Sequence, residues 1–304
     1  MIRHLFAICL ALLLLPQDSA AQNRERIGYG RLITNDYIGD GNDRWRSGSF
    51  SSSRIWGQGW DGMLPQQPGE IIELRFGVEI IGPKNLAAPA RGDRPFAGVL
   101  TAGLHTHFMR GGTDFALGTD LVLVGPQTRL DQLQGAFHDL VGINKASPRT
   151  RANQVPDATL LTLVAEAGRD FALPGGTTMR PFIEARAGLE TLARVGFDLT
   201  FGDLTNGELL IRDTVSGQRY RTMPRNQAGF AVVLGADFAS VISSELFPAS
   251  SGIVARDLRN RYRGGIHWQG GPAALFYGLT YLDREFEGQS EGQVVGSIRV
   301  DVRF

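Results

Sequence analysis

His138 is the residue best suited to move a proton at neutral pH. A neutral imidazole there can act as a general base. It lies four residues after Gln134 and four before Gly142. Far upstream, Asn35 and Asp36 offer side-chain oxygens, the donors a hard cation prefers. Such a cation can polarise a carbonyl as a Lewis acid. Hydrolysis at a carbonyl needs a water nucleophile, a base and a group that holds the developing oxyanion. Each residue also has a plainer reading. His138 alone reads as a structural or rim histidine, and Asn35-Asp36 as a turn or strand end. Asp40-Gly41-Asn42-Asp43 lacks the spacing of an EF-hand loop and reads as a solvated hairpin turn. Gly39 and Gly41 lack the Lys-Ser/Thr of a phosphate loop.

The elements that must carry these residues are mostly strands. At the C-terminus, Val294, Ile298, Val300, Val302 and Phe304 alternate with Ser297, Arg299, Asp301 and Arg303. Strict alternation marks a half-buried strand. An apolar face opposite a charged one is what a membrane barrel requires. Leu100 to Phe108, Phe182 to Glu190, Phe230 to Phe238 and Leu275 to Asp283 repeat the theme, separated by Gly, Asp, Asn and Pro clusters. The pattern predicts an all-β fold, a transmembrane antiparallel β-barrel of about 12 strands. In such a barrel, His105-x-His107 reads as polar lumen lining, since no third metal ligand is identifiable. One stretch breaks the period. From Thr128 to Gly142, Leu130, Leu133, Phe137 and Leu140 recur at helical spacing, and Asp131, Gln134 and His138 share one face. This predicts a short helical insertion at a rim or inside the lumen.

The remaining sequence agrees with export and membrane insertion. A basic start at Arg3 and His4, an apolar run from Leu5 to Leu15 and Ser19-Ala20-Ala21 make residues 1–21 a secretory signal. The run is too short for a spanning helix, which needs about 20 residues. Residues 22–304 then form the barrel domain. The single cysteine, Cys9, falls in the signal, so no disulfide is expected. The chain holds 31 basic and 31 acidic residues, a balance that offers no field for nucleic acid.

Four constellations are similar, in this order, to the outer-membrane lipid A 3′-O-deacylase family. They are Thr34-Asn35-Asp36 followed by Gly39, Gly41, Asp43, Arg44, Trp45, Arg46, Ser47 and Gly48; Gly92-Asp93-Arg94-Pro95-Phe96-Ala97-Gly98; Gly118-Thr119-Asp120 with Val124-Gly125-Pro126; and the Gln134 to Gly142 spacing. The resemblance spans about Thr34 to Gln154. It implies a calcium-dependent barrel in the outer membrane that removes an acyloxyacyl chain from lipid A in lipopolysaccharide. It implies His138 as the base, Asn35 and Asp36 as catalytic, Asp36 as the metal ligand and Gln134 as a substrate contact. Gln154 matches a Gln that follows the helix. The family hydroxyl of its Y-T-x-G stretch falls on Arg46, with Trp45 for the Tyr. Ser47 comes one position late, which on a regular strand points it to the opposite face. Arg46 can repel a cation, pair with Asp36 or bind a lipid A phosphate. Asn144 stands where some members carry an acid, and the Gly-Trp-Asp before Gln154 is missing.

Two other classes compete. A barrel that keeps the scaffold without the activity is one, since fold does not imply function. An outer-membrane phospholipase is the other, but Leu140 occupies the place of its Ser. A porin normally needs 16–18 strands. The expected partners are lipopolysaccharide and outer-membrane lipid, with the barrel a monomer.

Overall fold

The computed structural model describes residues 24–302, apart from 143, 224 and 226. The signal expected over 1–21 and the closing Phe304 lie outside the described residues. Fifteen strands are present among the described residues: β1 (Glu25–Asn35), β2 (Trp45–Gly57), β3 (Ile71–Gly82), β4 (Ala97–Arg110), β5 (Thr113–Val124), β6 (Ala158–Gly168), β7 (Phe171–Leu173), β8 (Thr177–Ala187), β9 (Glu190–Phe201), β10 (Leu210–Arg212), β11 (Arg219–Arg221), β12 (Gly229–Ser244), β13 (Leu258–Gly270), β14 (Ala273–Leu282) and β15 (Gln293–Val302). Twelve of them close into one antiparallel barrel, sealed by the β1–β15 and β6–β8 pairings. Short β7 prolongs the β6–β8 hairpin, and β10 with β11 forms a separate inner hairpin.

The alternation seen in the sequence sets the two faces. On β15, Val300 and Val302 are exposed, while Ser297 and Arg299 are buried inside. Leu104, Leu121, Leu161, Leu163 and Ile183 continue the outer apolar belt. Phe182 to Glu190 is not one strand, however. The chain turns at Gly188-Leu189, so Glu190 opens β9. Gly188 has φ of 152°. Alternation passing through a two-residue turn looks continuous in sequence.

Inside, charge replaces apolar packing. Asp237 accepts from Arg261 Nε at 2.8 Å, and Arg194 Nε lies 3.1 Å away. His105 pairs with Asp120 at 2.7 Å and His107 with Glu73 at 2.7 Å, so both line the lumen as expected. The inner hairpin fills the remaining space. Arg212 reaches Glu166 and Asp198, each at 2.9 Å, and Ser51 Oγ donates to Asp213 at 2.6 Å. A Cβ on Gly30 would lie 2.8 Å from the carbonyl oxygen of Arg221. Glycine there lets the hairpin lie against the wall. The alternation of a three-residue strand is too short to have predicted this plug. With it in place, the barrel is not an open pore.

The predicted helix spans Leu130–Val141 and ends at Gly142, which has φ of 74° and whose N–H bonds the His138 carbonyl. It lies outside the barrel, at the rim opposite the termini. Val99, Val122 and Val124 point inward to a buried cluster, so Gly98 faces out. A Cβ on Gly98 would run into Thr128 Oγ1 and lie 2.8 Å from Leu130 Cβ. The helix start therefore rests on bare backbone. Gly98→Leu should push it off the wall at a cost of about 1–3 kcal/mol. Hydrogen exchange along Leu130–Val141 should then accelerate about tenfold or more, with the barrel strands unchanged.

Candidate functional site

Four outward positions line up across the rim above the belt. Asn35 pairs in register with Gly48, Gly48 with Ile80, and Ile80 with Gly98. A Cβ on Gly48 would meet Asn35 Nδ2 at 3.3 Å, which places the Asn35 side chain on this outer row. Asn35 Nδ2 donates to the Ser47 carbonyl at 2.6 Å, and Asn35 Oδ1 accepts from Tyr37 N at 2.9 Å. The amide is thus fixed by backbone on both sides.

Asp36 begins the loop between β1 and β2. Its carbonyl accepts from the N–H groups of Gly39, Asp40 and Gly41. Its carboxylate accepts from Arg44 N at 2.7 Å. Burial pushes this carboxyl up to about 8; the Arg44 N–H opposes the shift, and the charges of Asp43 and Asp40 add to it. A folded pKa above the ordinary value means that the folded state holds the proton more tightly. Without a cation, stability is lost as pH rises from the usual carboxylate range through about 8. Any cation held by this carboxylate would have to displace that proton, and its affinity should then rise about tenfold per pH unit below 8 and level off above. Calorimetric titration with calcium chloride at several pH values checks this, and Asp36→Asn should remove the slope.

The helix brings His138 to the same loop. His138 Nδ1 lies 2.8 Å from the Asn144 carbonyl oxygen. A carbonyl only accepts, so Nδ1 carries the proton and Nε2 is left as the base. Asp43 Oδ2 lies 3.5 Å from Nε2, ready to pair with the imidazolium once Nε2 takes a proton. Sequence reasoning left Asp43 in a solvated turn. Its one signal was its place beside Arg44 and Trp45 in the second half of the Asn35-Asp36 constellation. Asn144 contributes its backbone carbonyl, a role that no side-chain pattern reveals.

Gln134 sits one helical turn before His138, on the same face and buried, with Oε1 lacking any partner. Ser47 Oγ is buried and unpartnered as well. Buried polar atoms are normally satisfied, so such orphans mark a place for a ligand or water. Asp131 shares the helix face but serves to anchor it, holding Arg151 at 2.7 Å.

Arg46 is not brought to this site. A β-bulge lies between Arg46 and Gly48. Arg46 is turned inward, where its guanidinium binds Glu285 at 2.6 Å and Glu79 at 2.5 Å, with Glu190 at 3.7 Å. Strands β2, β3 and β9 are not all neighbours, so these partners can meet only across the lumen. Arg46 thus pairs with these glutamates in place of Asp36, and its guanidinium is turned away from the outer face, where the expected contact with a lipid A phosphate would lie. The Asp93-Arg94-Pro95 stretch also turns out to be structural. Asp93 accepts from Lys84 N at 2.7 Å and Trp45 Nε1 at 3.3 Å, while Arg94 pairs with Glu285. Gln154 forms a backbone bridge with Phe96. Asp120 is occupied with His105.

A family model described as outer membrane protein LpxR matches residues 5–304. LpxR from Salmonella typhimurium shares the barrel, with a TM-score of 0.71 at 15% identity, covering 91% of this chain and 100% of that one. The β domain of the Bordetella autotransporter Brka matches at 13% identity and a TM-score of 0.43, covering 91% of this chain and 98% of its own. The translocator domain of NalP from Neisseria meningitidis matches at 11% and 0.40, covering 99% and 94%. No curated protein matches the chain.

Proposed function

The chain belongs to the LpxR family of outer-membrane proteins, and from that premise we propose that it hydrolyses an ester of lipid A on the outer wall of its barrel. The observation that carries this reading is an imidazole with a fixed tautomer, held over a loop of carboxylates on the face turned to lipid. Lipid A presents its ester-linked acyl chains at that level. Nε2 of His138 takes a proton from water as the oxygen attacks the ester carbonyl. The imidazolium pairs with Asp43 and returns the proton to the departing sugar oxygen. The products are the sugar hydroxyl and a free acid carrying its acyloxyacyl branch. Gln134, one turn before His138 and with Oε1 unpartnered, contacts the ester, and Asn35, its amide held by the Ser47 carbonyl and the Tyr37 N–H, shapes the wall beside it.

The donors present suit a hard cation. Asp36 supplies carboxylate oxygens, and crowding by Asp43 and Asp40 disfavours its bare anion, so a cation there would relieve the repulsion. No group of three or more acidic, His or Cys residues converges among the described residues, so carbonyls and waters complete such a shell. Calcium, when bound, polarises the ester carbonyl.

A second reading rests on Arg46. It occupies the position of the family hydroxyl and is pulled into the lumen. A barrel of this family without activity accommodates that substitution. The purified protein in vesicles containing lipopolysaccharide separates the two. Release of a branched fatty acid that rises with calcium and stops with chelator supports hydrolysis. No release from a correctly folded barrel supports the inactive reading.

A further inference from the structure

The helix Leu130–Val141 presents three different sides. Leu130, Asp131, Gln134 and His138 are buried against the protein. Gln132, Gly135 and Asp139 face away from the wall, and Asp139 pairs with Lys145 in the open. Between these sectors runs an edge of Leu133, Phe137 and Leu140, which are 60%, 57% and 82% exposed. At about 100° per residue these three fall together, roughly at right angles to the His138 face. A helix in water would not leave its largest apolar side chains bare while burying Asp131, Gln134 and His138.

The apolar belt of the barrel begins directly below. Gly98 faces the helix, and the next outward rung down is Val78, Leu100 and Leu123, paired in register. Phe76 and exposed Leu121 follow one rung lower. The bare helix edge thus continues a surface that meets lipid.

We propose that this helix lies flat in the outer-leaflet interface, with Leu133, Phe137 and Leu140 inserted among acyl chains and Asp139 facing water. An interfacial helix buries its apolar side about 5–10 Å into the boundary between headgroups and acyl chains. This placement needs no catalytic activity. For the proposed function, it sets the helix that carries His138 at the depth of the lipid acyl chains.

The chain from residue 22 onward contains no cysteine, so a single introduced thiol takes a label cleanly. Leu140→Cys, Asp139→Cys and Leu104→Cys, each carrying an environment-sensitive fluorophore, are refolded into phosphatidylcholine vesicles bearing nitroxides on their acyl chains. Leu104 reports the belt and Asp139 the aqueous side. The label at 140 should lose emission to the nitroxide lipid as the label at 104 does, and resist iodide. Quenching by iodide as at 139 would overturn the proposal. So would protection from both quenchers, which would indicate a protein partner on this edge. Neither outcome bears on whether the ester is cleaved.

Discussion

His138→Ala should slow release of the acyl unit by about 10²–10⁴-fold, the usual contribution of a general base. The barrel should remain folded, because His138 is held by one carbonyl and faces one carboxylate at the rim. The loss should appear in the rate at saturating lipopolysaccharide rather than in its binding. Heat-dependent gel mobility of the folded barrel gives the control. A variant that keeps full rate would remove the imidazole from the chemistry.

Asp237→Ala should do the opposite, damaging the scaffold rather than the site. The carboxylate is fully buried among Arg194, Arg261 and Arg263. Arg263 retains Asp198 and Arg194 retains Glu184, but Arg261 is left with only the Thr214 and Val215 carbonyls. Removing one partner of a buried ionic cluster costs about 3–5 kcal/mol, because charge is left without a counterion. Denaturant unfolding in detergent should show that drop, whereas Asp139→Ala on the exposed helix side should show almost none. Any loss of hydrolysis should follow the fraction folded.

These two variants also divide what the sequence could convey from what it could not. The twelve-stranded barrel was readable because each wall strand carries its own period of two, as Val300 and Arg299 show. The helix was readable from its different period, and its polar face named Gln134 and His138 before their surroundings were known. The register bulge after Arg46 was not readable. One extra residue in a strand leaves no mark in the sequence, yet it sends the guanidinium to the lumen. The partners of Arg46 come from β3, β9 and the loop before β15, so nothing local announces them. Asp43 was hidden in the same way. Its neighbours in sequence suggest a turn, and only the outer helix gives it a partner. The side of the wall that holds the site follows from Gly98, where a missing side chain decides where the helix rests.

Weighing lipid A from a Gram-negative host that expresses the chain tests the central claim most directly. Mass spectrometry should show lipid A lighter by one acyloxyacyl unit in cells with the unaltered chain, and full-mass lipid A with His138→Ala. Full-mass lipid A in both, with the unaltered barrel inserted in the outer membrane and calcium supplied, would contradict it.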